Sequence, residues 1–110
     1  MNKTLKVLNL DSNKIKDAES IGEMLKSNKD LQELNLDYND LKSKGAVIIS
    51  DVLNINRVLE MLDLTYNNIR DIDARAFGEV IKRNKTLTRL SIDRNLISNG
   101  VKGELKHMPK

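Results

Sequence analysis

Apolar and polar positions follow one scheme four times along this chain. The stretches "LKVLNLDSNKI" from Leu5, "LQELNLDYNDL" from Leu31, "LEMLDLTYNNI" from Leu59 and "LTRLSIDRNLI" from Leu87 share a skeleton. Each has an apolar residue at the first, fourth, sixth and eleventh places and Asn at the ninth; the starts lie 26, 28 and 28 residues apart. Leu8 and Leu10, Leu34 and Leu36, Leu62 and Leu64, and Leu90 and Ile92 alternate with period two, which points each pair to one face of a short strand. A different spacing fills the intervals. Ala18, Ile21, Met24 and Leu25 recur as Ala46, Ile49, Val52 and Leu53, then as Ala74, Phe77, Val80 and Ile81. Steps of three, three and one mark one face of a helix. The pattern therefore predicts strand–helix units, and strands re-entered after a helical crossover run parallel. A repeat of this length cannot bury its apolar face alone, so each unit stacks on the next.

The repeated polar positions have structural readings. Asn13, Asn39, Asn67 and Asn95 fall where the chain turns out of each strand, where a short amide satisfies backbone groups that the turn leaves open. They form a structural ladder. Asn28, Asn56 and Asn84 close the three helical segments, and the tolerance of Asn for left-handed backbone predicts that conformation there. Asp71 and Asp73, just ahead of Ala74, read as helix-start carboxylates that complement the dipole rather than as a catalytic pair.

The skeleton L-x-x-L-x-L-x-x-N-x-L/I with its 28-residue spacing resembles the ribonuclease-inhibitor-like class of leucine-rich repeats, over nearly all of residues 2–98. The resemblance implies an α/β fold: a right-handed horseshoe fragment of about four repeats, with a parallel sheet on the concave face and helices on the convex face. Ribonuclease inhibitor, Ran GTPase-activating protein, tropomodulin C-terminal domains, nucleotide-binding immune receptors and bacterial effectors share that class. Its members mostly bind proteins, through the concave face or the strand-side loops. Two features depart from it: the cysteine often found in such repeats is absent, and the first interval is two residues short, which predicts a tighter connection around Lys16 to Glu19. Residues 1–110 read as one leucine-rich repeat domain, with 98–110 a truncated repeat or C-terminal cap in which Val101, Leu105 and Met108 cover the last layer. With no capping element at its start, the chain is expected to be a piece of a longer repeat protein, or to meet another copy through its open ends.

The positions the skeleton leaves free carry the functional expectation. Beside the strand leucines they include Asp11, Glu33, Asn35, Asp37, Tyr38, Met61, Asp63, Tyr66, Arg89, Asp93 and Arg94. Counted with Lys6 and Glu60, this face holds six acidic and three basic residues, while the rest of the chain holds 10 acidic and 16 basic. The charge is segregated, acidic on the strand face and basic elsewhere. Asp11, Asp37 and Asp93 share a register, as do Tyr38 and Tyr66. Stacked like charges cost stability unless a basic partner answers them, and exposed tyrosines suit an interface. With Tyr38, Tyr66 and Met61 at its centre, the face is expected to bind a protein partner through a basic segment.

Composition narrows the alternatives. Net charge is +3, from 19 Lys and Arg against 16 Asp and Glu, scattered rather than blocked; one Phe, two Tyr and no Trp leave little to stack on bases. Nucleic acid is not an expected partner. No run reaches the ~18 apolar residues of a membrane span, and the N-terminus lacks a signal-peptide pattern, so no membrane partner and a cytoplasmic, intracellular location are expected. There is no cysteine, and the single His107 has no second His or Cys to share a metal. Phosphate-loop, G-x-S-x-G and H-E-x-x-H motifs are absent. No enzyme activity, cofactor or metal is expected. The alternatives to a simple interaction module are a regulatory fragment of a larger protein (GTPase activator, actin-capping protein, innate immune receptor or pathogen effector) and a self-stacking repeat protein.

Overall fold

A computed structural model of the chain describes residues 6–10 and 18–105. Strands and helices alternate as β1 (Val7–Asn9), α1 (Ala18–Ser27), β2 (Glu33–Asn35), α2 (Lys42–Leu53), β3 (Met61–Asp63), α3 (Asp71–Arg83), β4 (Arg89–Ser91) and α4 (Asn99–Glu104). The strands form one parallel sheet in the order β1-β2-β3-β4. Register is in step with the repeat: Leu8, Leu34, Leu62 and Leu90 sit side by side, as do Val7, Glu33, Met61 and Arg89. Each strand is three residues long, yet the pairing runs further, with Leu36 N–H donating to Asp63 O at 2.9 Å and Tyr38 N–H to Thr65 O at 3.0 Å. This is the α/β solenoid of about four repeats that the pattern predicts.

Leu34, Leu36, Leu62 and Leu64 are fully buried, and so are Ile49, Leu53 and Phe77 on the facing helices. The core is thus a leucine ladder on the sheet closed by one face each of α1, α2 and α3. Burying a side chain of this size contributes about 1.5–3 kcal/mol, so the stack of layers, more than helix propensity, holds the short elements in place. Met24 is only partly buried at the margin. The tightened connection expected around Lys16 lies largely outside the described residues. At the other end Val101 and Leu105 pack with Ala74 and Ile97 as a small second cluster, while Met108 lies outside the described residues.

The asparagines after the strands are hydrogen-bonded on every side. Asn67 is fully buried; its Oδ1 accepts from the N–H groups of Asn39 (3.1 Å) and Leu41 (3.3 Å), and its Nδ2 donates to Leu36 O (2.9 Å). Asn95 does the same for the repeat before it, accepting from Asn67 N–H at 2.8 Å and Ile69 N–H at 3.0 Å and donating to Leu64 O at 3.0 Å. Asn39 donates to Leu10 O at 2.9 Å. Asn13 lies outside the described residues.

The helix-closing asparagines correct the sequence reading. None of Asn28, Asn56 and Asn84 has positive φ; Asn84 is extended at φ −91°, ψ 100°. Their task is hydrogen bonding. Oδ1 of Asn56 accepts from Val58 and Leu59 N–H, both at 2.9 Å, while its Nδ2 donates to Leu25 O at 2.8 Å. Asn84 repeats this with Thr86, Leu87 and Leu53. A left-handed residue would aim the amide away from these groups, so the side chain's bonds fix the backbone.

The two helix-start carboxylates also reach across repeats. Asp73, 4% exposed, accepts from Arg70 N–H at 3.1 Å and from the Ser43 hydroxyl at 2.6 Å. Asp71 Oδ1 accepts Ser98 N–H at 2.7 Å, which ties the start of α4 to α3.

Candidate functional site

Because Leu34, Leu62 and Leu90 point into the core, their neighbours on β2, β3 and β4 face away from the helices. That places Glu33, Met61 and Arg89 in one row and Asn35, Asp63 and Ser91 in the next. The second row is less free than its variable sequence suggests. Asn35 Oδ1 accepts Asp37 N–H at 2.9 Å; Asp63 Oδ1 accepts the N–H of Thr65 at 3.0 Å and its hydroxyl at 2.6 Å. The Thr65 and Ser91 hydroxyls lie 3.0 Å apart. Asn35 and Asp63 thus cap the turns that leave β2 and β3, a local bond that Asn and Asp make readily.

The eighth place of the skeleton holds Tyr38, Tyr66 and Arg94, and all three adopt left-handed backbone, with φ of 59°, 59° and 55°. Such a conformation costs a residue with a Cβ roughly 1–2 kcal/mol. It persists because the neighbouring Asn39, Asn67 and Asn95 over-determine the turn. The tyrosines therefore stand at the rim, in the turns beyond the strands, and not at the centre of the sheet face as the pattern of alternation suggests. There the two rings stack, with centroids 4.6 Å apart and planes 16° from parallel. Arg94 completes a ladder, its Cζ 5.8 Å from the Tyr66 ring centroid. Shared register in the sequence marks Tyr38 and Tyr66 as neighbours; that Arg94 occupies the same place was the missed sign of the third rung.

Beside the ladder, Asp37 is half-buried and hydrogen-bonded to the Asp63 carboxyl. Partial burial pushes the Asp63 carboxyl up, but the hydrogen bonds from Asp37 and from the Thr65 hydroxyl and N–H outweigh it and hold Asp63 below the usual carboxylate range. The Asp37 and Asp63 carboxyls thus meet across the boundary between two repeats. Asp11, the expected neighbour of Asp37, lies outside the described residues. Charge changes sign along the sheet. The free positions of the second and third repeats hold Glu33, Asp37, Glu60 and Asp63 with no Lys or Arg, while the fourth brings Arg89 and Arg94 beside Asp93. Glu60, Arg89, Asp93 and Arg94 are exposed. Among the described residues no group of three His, Cys, Asp or Glu side chains comes together to hold a metal, and no helix is long and apolar enough to cross a membrane.

Comparisons with known proteins agree with this architecture. The model of the family described as Leucine Rich repeat matches residues 2–18, 27–50 and 56–78. Comparison with curated proteins finds no match. Among solved structures, leiomodin-1 actin-binding site 2 superposes with a TM-score of 0.81 at 20% identity, covering 94% of this chain and 63% of that one. The tropomodulin C-terminal domain of Caenorhabditis elegans superposes with a TM-score of 0.78 at 14% identity, covering 94% of this chain and 66% of that one. The chain thus spans less than two thirds of either neighbour.

Proposed function

The chain belongs to the leucine-rich repeat family, and on that premise we propose that it is a noncatalytic protein-interaction module whose partner docks on the strand face. One observation carries the reading: two adjacent repeats present Glu33, Asp37, Glu60 and Asp63 with no cation among their free positions, next to half-exposed tyrosines. Charge of one sign on an open face favours encounter with a segment of the other sign, and such pairing weakens as salt rises. A basic stretch of a partner protein fits it. Leiomodin-1 actin-binding site 2 shares the fold, so purified actin is the first defined protein to try.

The test uses Glu33→Lys with Glu60→Lys, because neither carboxylate caps a turn, whereas Asp63 does. Wild type and variant, matched in circular dichroism and mass in solution, are used to capture partners from lysate and to cosediment with actin filaments. Retention of a protein by wild type alone, reduced by added salt, supports the strand face. Equal retention by both moves the contact to the helices and removes this reading.

A further inference from the structure

We propose that the exposed ring of Tyr38 seats an arginine side chain of the partner, in the way that Arg94 lies over Tyr66. The inference rests on the strand-face reading and names the chemistry it takes. Tyr66 has the Tyr38 ring at 4.6 Å and the Arg94 guanidinium over its own ring at 5.8 Å, and it is 43% exposed. Tyr38 has the Tyr66 ring against one face and is still 52% exposed. The molecule therefore already shows, on Tyr66, the contact that Tyr38 offers: a guanidinium laid over a stacked phenol ring.

The surroundings select among ligands that could stack there. A nucleobase has a flat face too, but its phosphates would approach Glu33, Asp37, Glu60 and Asp63 with no cation at the free positions of those two repeats. An apolar side chain would gain nothing from those carboxyls. Arginine gains from both: its planar, weakly hydrated guanidinium stacks on aromatic faces, and its charge is matched by the acids; lysine, compact and strongly hydrated, stacks less well. Asp40 adds less, since its oxygens are engaged by the Asn68 amide and, at 3.7 Å, by Lys42. The ring is also held before binding, by the Tyr66 stack and a turn backbone fixed at φ 59°. Little side-chain freedom remains to be lost on docking.

The test is an NMR titration of the whole chain with three short peptides, Gly-Arg-Gly, Gly-Lys-Gly and Gly-citrulline-Gly, all capped at both ends. Expected are shifts of the Tyr38 ring resonances with the arginine peptide, smaller ones with lysine, and none with citrulline, which keeps the shape and loses the charge. Tyr38→Leu should weaken arginine binding about two- to thirtyfold, the range an exposed-to-desolvated cation–π contact allows; Tyr38→Phe, which keeps the ring, should retain it and guards against a folding artefact. Equal shifts with citrulline, or unchanged affinity in Tyr38→Leu, overturn the proposal. Failure of the two readings is separable. Partner capture lost in the Glu33→Lys, Glu60→Lys protein but untouched by Tyr38→Leu removes the arginine seat and leaves the strand face. Arginine binding that depends on Tyr38 while capture ignores both glutamates does the reverse.

Discussion

Tyr38 and Tyr66 meet ring to ring, 4.6 Å apart and 16° from parallel, from backbones that both turn at φ 59°. Two strained turns are thereby coupled through their side chains. A double-mutant cycle of Tyr38→Leu and Tyr66→Leu, read by denaturant unfolding, should return a coupling energy of about 0.5–1.5 kcal/mol. Strict additivity would mean that the rings touch without stabilising each other.

Asn67 has the most to lose among the turn residues. Its replacement by Ala removes acceptors for Asn39 and Leu41 N–H and donors to Leu36 and Thr65 carbonyls, all at a fully buried position. The expected destabilisation is about 2–4 kcal/mol. Asn67→Asp should cost at least as much despite its shape, because a carboxylate would face two carbonyl oxygens where the amide donated. Chemical denaturation of the three proteins side by side measures both.

Gly45 reverses the usual rule that Ala in place of helical Gly stabilises by up to about 1 kcal/mol. A Cβ at this position of α2 would lie 2.7 Å from the Leu41 Cβ and 3.4 Å from the Ala18 Cβ of α1. Leu41 is itself buried and cannot retreat freely. Gly45→Ala should lower stability by about 1–3 kcal/mol through overpacking; a rise in the midpoint of unfolding would show that α1 and α2 can slide apart.

Asp71 sets an acid limit on the C-terminal helix. The Ser98 N–H and hydroxyl, with a smaller contribution from Arg75, hold its carboxyl below the usual range. A folded pKa below the unfolded value means that its contribution is present above about pH 4 and is lost as pH falls through the folded pKa. The protection of the Ser98 and Val101 amides, taken relative to their intrinsic exchange rates, should therefore fall in wild type on acidification through that window. In Asp71→Asn it should already be lower at neutral pH and change less with acid.

The solenoid was legible in the sequence because period two and the three-three-one spacing are both imposed by the core, and each was repeated. What escaped is what side chains do outside that core. The exit asparagines Asn28, Asn56 and Asn84 were visible as a repeat, but composition cannot tell an amide that tolerates left-handed backbone from one that binds neighbouring amides; hydrogen bonds to Leu25 and Leu53 in the preceding repeat decide it. The left-handed backbone sits instead in the turns after the strands, at Tyr38, Asp40, Lys42, Tyr66, Asn68 and Arg94. Propensity favours Asp40 and Asn68 but gives no sign of Tyr38, Tyr66 and Arg94. Their place one residue before a ladder Asn is the local sign. Asp63, similarly, was read as a free surface acid and is half a turn cap, because the Thr two places on supplies both bonds.

The asparagine ladder gives the array a direction. Asn67 serves Asn39, Leu41 and Leu36, and Asn95 serves Asn67, Ile69 and Leu64; in each case the inter-repeat bonds from the side chain run to the repeat before. Every turn is fastened by its successor, like overlapping tiles each pinned by the one laid after it. Damage at one asparagine should therefore surface upstream, toward the N-terminus, and a chain pulled from its C-terminal end should release its repeats in sequence, each freed by the loss of the one that held it.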